Sequence, residues 1–148
     1  MWDFGCISRL FAGMKHEHQD QIATRYGIKN GGVFASWLAS LNYLRNVCAH
    51  HSRLWNRNIT RQPKRPASAE ALLFQELWTD AHKQARPFLL LCIVQHLLCT
   101  INPNSSWWHR LMELLMEFPD FGCDQELSLD ACGIIAGCES WNWKELKS

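Results

Sequence analysis

Apolar residues recur at intervals of three and four along almost the whole chain, and strand-like alternation between hairpin turns is absent, so the pattern predicts helices and no sheet. Asp3 is placed to cap a first helix with Phe4, Ile7, Leu10, Phe11 and Met14 inward, running to about Lys15. Asp20 is placed to cap a short second one ending at Gly27. After the break at Asn30-Gly31-Gly32, the longest helical pattern runs from Val33 to about Arg57, with Val33, Phe34, Trp37, Leu41, Leu44, Cys48 and Trp55 on its inner face. Pro63 and Pro66 make Thr60 to Ala67 a loop. Ser68 opens a helix over about Ala69 to Gln84 that presents Leu72, Leu73, Leu77 and Ala81. Pro87 suits the first turn of the next, which ends before Pro103. Ser105 or Ser106 begins another, with Trp108, Leu111, Leu114, Leu115 and Phe118 inward and Pro119 as its stop. The expected architecture is an all-α bundle built round one long central helix.

The 148 residues suit one ordinary domain, and 47% apolar content is enough for a single core. Eight Trp are many for this length, and some are expected to face a second subunit. The start, Met1-Trp2-Asp3-Phe4-Gly5, lacks the basic opening and apolar run of a secretory signal, which implies a cytoplasmic protein. Seven Cys without regular spacing argue against a disulfide framework and for reduced, mostly buried thiols. The most apolar run, Phe88 to Cys99, is interrupted by Gln95 and His96 and is too short for a membrane span.

Charge alters the picture. No Asp or Glu occurs between Asp20 and Glu70, while Arg25, Lys29, Arg45, Arg53, Arg57, Arg61, Lys64 and Arg65 give that stretch +8, so the rest of a chain of net +1 carries −7. Within the basic stretch, Arg45 and Asn46 precede His50. An imidazole moves protons near neutral pH, a guanidinium holds phosphate through paired hydrogen bonds, and an amide orients either. An acid-free surface with these groups points to RNA as a ligand.

On a helix of about 100° per residue, Asn42, Asn46, His50, Arg53 and Arg57 fall within an arc of roughly 80°, opposite the apolar face. The plain reading is a solvated helix back, but such faces usually mix both charge signs and this one does not. Arg45 projects about 140° away from His50 on an ideal helix. Either the long side chain wraps round the shoulder, or the helix is distorted, or two-fold symmetry brings duplicate groups into one cleft.

The run Leu41-Asn42-Tyr43-Leu44-Arg45-Asn46-Val47-Cys48-Ala49-His50-His51-Ser52-Arg53-Leu54-Trp55-Asn56-Arg57 resembles the signature of the Abi-like (abortive infection) phage-resistance proteins, of the wider HEPN superfamily. The superfamily motif, Arg, a polar residue, three variable positions and His, falls on Arg45, Asn46 and His50. Similarity extends to Phe4-Gly5 with Ser8-Arg9-Leu10, and to Ile101-Asn102-Pro103 with the Trp-containing helix and Pro119. The resemblance implies an Abi-like HEPN helical domain over 1–122 and a weakly matched acidic tail over 123–148. Typical members carry a longer portion before this start, so the chain resembles a C-terminal portion.

Of the three geometries for Arg45 and His50, two-fold symmetry, a homodimer, is the favoured one. The resemblance implies a metal-independent endoribonuclease without cofactor, in which the ribose 2′-OH attacks the adjacent phosphate. Arg45, Asn46 and His50 would be the catalytic residues, and Arg53, Arg57, Arg61, Lys64 and Arg65 would grip the RNA backbone. Such a toxin implies restraint by an antitoxin RNA or protein.

The alternative is a non-catalytic RNA-binding or protein-interaction module, in which His50 orders the helix and Arg45 forms an ion pair with an acid outside the basic stretch. A metal site built from Cys48, His50 and His51, or from Cys92, His96 and Cys99, is a third reading, but neither group has paired Cys-x-x-Cys spacing, and the apolar surroundings of Cys92 and Cys99 favour core packing. His51 is expected to be a buried neighbour of the site, and Trp55 a member of the core face. Of the adjacent Trp107 and Trp108, one is expected at an interface. His16 and His18, with Glu17, are expected in a solvated turn.

Overall fold

The apolar face of the long helix organises the protein. The computed structural model describes residues 3–119 and 128–143, and these contain helices and no strand. The elements are α1 (Phe4–Ala12), α2 (His16–Thr24), α3 (Gly31–Ala49), a 3₁₀ segment (Leu72–Trp78), α4 (Ala81–Gln84), α5 (Pro87–Ile101) and α6 (Trp107–Met116), followed by 3₁₀ turns at Asp130–Cys132 and Cys138–Ser140. Helix α3 packs on α1, α2 and α5. Its residues Phe34, Trp37, Leu38, Leu41 and Leu44 enter one core with Phe74, Leu77, Phe88, Leu89 and Ile93. No described helix is long and apolar enough to cross a membrane.

Two of the expected starts, at Asp3 and Pro87, rest on the local chemistry read from the sequence, and Asn30, read only as part of a break before Val33, caps α3 at Gly31. Asp3 accepts the Cys6 N–H at 2.7 Å, Asn30 accepts the Val33 N–H at 3.1 Å, and Pro87 stands in the first turn of α5. The Cys6 N–H holds the Asp3 carboxyl below the usual range for Asp. Asp20 does something else: it lies inside α2, whose cap is Lys15, and its Oδ1 accepts the Gly31 N–H at 2.7 Å. That bond ties α2 to the start of α3. Gly31 is needed there because a Cβ would stand 2.7 Å from the Gln19 carbonyl carbon and 2.9 Å from the Asp20 nitrogen.

Other expectations need correcting. Helix α1 stops at Ala12 rather than Lys15, and of its expected inner face Phe11 is buried whereas Ile7 and Leu10 are exposed. The single helix expected over about Ala69 to Gln84 is broken into the 3₁₀ segment and α4, with Leu72 63% exposed. Ala71 enters the 3₁₀ segment at φ 50, ψ 40, which no regular helix can continue through. In α6, Leu114 is exposed and Met112 takes the buried position. The expected boundary near Gly122 lies outside the described residues. Beyond it, Ile134, Ile135, Cys138 and Trp143 are buried in the common core. Of the Trp107 and Trp108 pair, Trp108 is buried and stacks on Trp141 at 6.0 Å, while Trp107 is half-buried.

Two indoles join the core to the basic loop. Trp37 and Trp78 stack at 6.0 Å with their planes 13° apart. Their Nε1–H groups donate to consecutive carbonyls, Trp78 to Pro63 at 3.2 Å and Trp37 to Lys64 at 3.0 Å. The Lys64 N–H donates to Ser36 Oγ at 2.9 Å, and Pro63 and Pro66 are buried. The backbone of the loop is therefore fixed while Arg61, Lys64 and Arg65 stay exposed.

His96 stands beside this pair, edge-on to Trp37 and Phe74. Its Nε2–H donates to the Tyr26 carbonyl at 2.7 Å, and Nδ1 is buried with no partner among the described residues. Burial pushes the imidazole below its ordinary value of 6.5, against the opposing pull of the Tyr26 carbonyl and Glu70. A histidine held neutral in the fold contributes stability that is complete above the unfolded value and is lost as pH falls below it. The unfolding free energy is thus expected to decline as pH drops below about 6.5. In His96→Gln, whose amide can still donate to Tyr26, that part of the slope should vanish; urea titrations across the pH range measure it. An unchanged slope would show that other groups carry the acid sensitivity.

Candidate functional site at the end of helix α3

The expected continuation of α3 to Arg57 does not occur. The helix ends at Ala49, with His50 as its C-cap at φ −93, ψ 16 and His51 in the left-handed region at φ 50. The His51 N–H donates to the Cys48 carbonyl and the Ser52 N–H to the Val47 carbonyl, both at 3.1 Å. Those two bonds form a Schellman closure, which satisfies carbonyls that would otherwise be orphaned. Glycine usually fills the left-handed position; histidine is among the other residues that tolerate it. The expectation of a buried His51 is corrected: it is exposed, and its backbone turns the chain off the helix.

This closure splits the expected stripe. Asn42 and Asn46 remain on α3, His50 stands exposed at its end, and Arg53 and Arg57 belong to the following loop. Arg57 is half-buried, and its Nε donates to Tyr43 Oη at 3.1 Å while Nη1 reaches the Arg53 carbonyl at 3.4 Å. That guanidinium lowers the Tyr43 phenol from its usual value. It acts as a strut between the loop and α3. Arg65 donates to Gln75 Oε1 at 3.2 Å, and Arg53, Arg61 and Lys64 are exposed.

Arg45 is exposed and its Nη1 donates to Asn46 Oδ1 at 3.0 Å. The long side chain does turn round the helix shoulder, as far as the amide on the polar face. The Asn46 carbonyl in turn accepts the His50 backbone N–H at 3.1 Å. Asn46 therefore links the guanidinium on one flank of α3 to the backbone that carries the imidazole. Arg45 has no ion pair: among the described residues, the one pair within 4.0 Å is His109 with Glu113.

Two grooves flank this end of α3. One, of about 600 Å³, runs between α1 and α3 and the loop, where Ser8 and Arg9 face Asn42, Tyr43, Asn46 and Arg61. The other, of about 440 Å³, is apolar, formed by Leu41, Leu44, Val94, Leu97 and Ile101, with Arg45 and Cys48 among its lining residues. Arg9 is the site residue that charge reading along the chain overlooked. It lies outside the acid-free stretch, and only the packing of α1 on α3 brings it to Asn42 and Asn46.

The other candidates have structural roles. Trp55 is half-buried and stacks on Phe118 at 4.3 Å, 14° from parallel, so that ring face is taken. Among the described residues, no group of three or more His, Cys, Asp or Glu is placed to hold a metal ion. Cys92 is fully buried, and desolvation pushes its thiol well up; Cys132 and Cys138 are pushed to about 11 for the same reason. Cys6 and Cys48 are exposed, a departure from the expectation of mostly buried thiols. His16 and His18 lie exposed in α2 rather than in a turn.

Residues 1–56 match the family model described as Abi-like protein. The matched segment carries α1, α2, α3 and its closure, hence Arg9, Arg45, Asn46 and His50 together. No curated protein and no solved structure matches the chain.

The helix closure makes a direct prediction. His51→Gly is expected to hold stability or raise it by up to about 1 kcal/mol, whereas His51→Val should lose about 1–2 kcal/mol, since a β-branched side chain resists the left-handed region. Denaturant unfolding of the two variants beside wild type gives the ranking. Equal stability of the Val and Gly variants would mean that the backbone at 51 is not left-handed.

Proposed function

We propose that the protein is an Abi-like, HEPN-type endoribonuclease of an abortive-infection or toxin system, and that His50, Arg45 and Asn46 form its reaction centre. The observation that carries this reading is the side-chain bond of Arg45 to Asn46 one turn before the exposed His50 at the end of α3, inside the segment that matches the Abi-like family. RNA supplies its own nucleophile. The ribose 2′-oxygen bonds to phosphorus, the bond from phosphorus to the 5′-oxygen breaks, and the products are a cyclic phosphate and a 5′-hydroxyl. An imidazole takes the 2′-OH proton, and a second proton must reach the departing 5′-oxygen.

Two copies of His50 would supply both transfers, one as base and one as acid. A two-fold dimer across the apolar groove beside Arg45 would bring them together, because covering the exposed Ile101 and the half-buried Phe4, Val94 and Leu98 provides a driving force next to the site. Arg45 would then neutralise the charge that develops on the phosphorane. Arg53, Arg61, Lys64 and Arg65 would hold the flanking backbone, with Arg57 bracing the loop from which Arg53 projects.

A second reading draws on the position of His50 at the C-cap of α3: the residue orders the helix end, and the domain binds RNA or a protein without cutting. The two readings separate in one assay. Purified protein incubated with total RNA in EDTA is expected to yield cyclic-phosphate ends. His50→Ala and Arg45→Ala should each lower the rate by about 100-fold or more. Mixing the two variants should restore part of it where the cleft is shared between subunits. RNA retention with no products from wild type would favour the binding module. Cleavage that persists in both variants would remove these residues from the reaction.

A further inference from the structure

The groove between α1 and α3 sets Arg9 and Asn42, which the reaction centre does not use, beside Asn46 and Arg61. Arg9 comes from α1 and Arg61 from the loop, and the amides of Asn42 and Asn46 line the same groove. Neither guanidinium has an ion-pair partner among the described residues, and both are exposed. No lining residue is a carboxylate; Asp3, near Gly5 at the margin, accepts the Cys6 N–H and also interacts electrostatically with Arg9 beyond ion-pair distance. The Asn46 Oδ1 is occupied by Arg45, so its Nδ2 hydrogens are the ones left for a ligand. The about 600 Å³ volume falls within the usual range for a small-molecule site.

We infer that this groove is a subsite for one nucleotide of single-stranded RNA next to the reaction centre, with Arg9 and Arg61 holding its phosphates and Asn42 bonding to its base or ribose. The inference rests on the reading of RNA as ligand, not on cleavage. Asn46 joins the two regions, since its amide reaches Arg45 while its side chain lines the groove. A phosphate gripped by the two arginines would set the register of the chain on His50. Close approach is built in: a Cβ at Gly5 would meet Asn42 Oδ1 at 3.2 Å, so a larger residue there would crowd the amide.

The test uses the full chain carrying His50→Ala, so that bound RNA stays intact, with a short fluorescein-labelled oligouridylate as probe. Anisotropy titrations over a range of salt concentrations are compared with those of the same protein carrying Arg9→Gln, Arg61→Gln or Asn42→Ala. Each arginine variant is expected to weaken binding about 5–30-fold and to reduce the slope of log affinity against log salt by about one phosphate contact. Arg9→Lys should recover most of the slope. Asn42→Ala should weaken binding without altering the slope. Thermal melts identify a variant that fails to fold, in which case the lysine substitution at the same position decides.

Affinity and salt slope unchanged in both arginine variants would overturn the subsite, even if wild type cleaves RNA. Losses in both variants would support it, even if wild type leaves no cleavage products. Absence of any binding to the probe would sink the subsite together with the RNA reading.

Discussion

The stacked pair of Trp37 and Trp78 is the interaction on which the working surface depends. Each indole buries a large apolar area and still needs a partner for its N–H. Here the partners are consecutive carbonyls of the basic loop, so a proline-rich segment with no helix of its own is nailed to the core at Pro63 and Lys64. A loop free to move would lose conformational entropy whenever its arginines engaged a ligand. This one is ordered beforehand, and only the side chains of Arg61, Lys64 and Arg65 have freedom left to lose.

The parts of the fold that were legible in the sequence are those whose cause is local. Asp3 and Pro87 mark helix starts because a cap or a fixed φ acts within a single turn, and Asn30, read as part of a break, caps α3 by the same local bond. The end of α3 was not legible. Its closure turns on a left-handed His51, and nothing in the residue type distinguishes that conformation from one more helical position. The break at Ala71 is the same kind of event, a left-handed residue without a glycine to announce it. Asp20 was misread for a different reason: its partner, the Gly31 N–H, is provided by the packing of α2 on α3, and a cap-like residue does not reveal which helix it serves.

The candidate site divides along the same line. Arg45, Asn46 and His50 stand out by their spacing, and the bond between Arg45 and Asn46 is possible because they are sequence neighbours. The five-residue stripe was a product of extending an ideal helix past its actual end. Once the chain turns at His51, Arg57 swings back to Tyr43 and becomes a brace, while Asn42 and Asn46 find Arg9 on another helix. Sequence periodicity reports on one helix at a time. A groove between two helices and a loop is a property of their packing.

Electrostatics shows the same economy at the scale of the whole surface. The acids that border the basic stretch, Asp20 and Glu70, accept backbone N–H groups, Asp20 from Gly31 and Glu70 from Lys29 and Ala67. Asp3, at the start of α1, accepts that of Cys6 and feels the charges of Arg45 and Arg9 only at longer range. Glu70 is the instructive case, since it is buried and lies closest in sequence to Arg65, yet Gln75 receives that guanidinium. A carboxylate bonded to backbone donors stabilises a turn or a helix end, and it is held where it serves the fold rather than beside an arginine. Had these carboxylates paired with Arg9, Arg45 or Arg61, the same net charge would have given a surface of closed ion pairs, with a desolvation cost to any phosphate that displaced them. Spending the acids on the backbone leaves the cations open. At physiological salt the Debye length is about 8 Å, so only cations held this close to a bound phosphodiester contribute strongly. Their position around the end of α3 therefore matters more than the total charge of the chain.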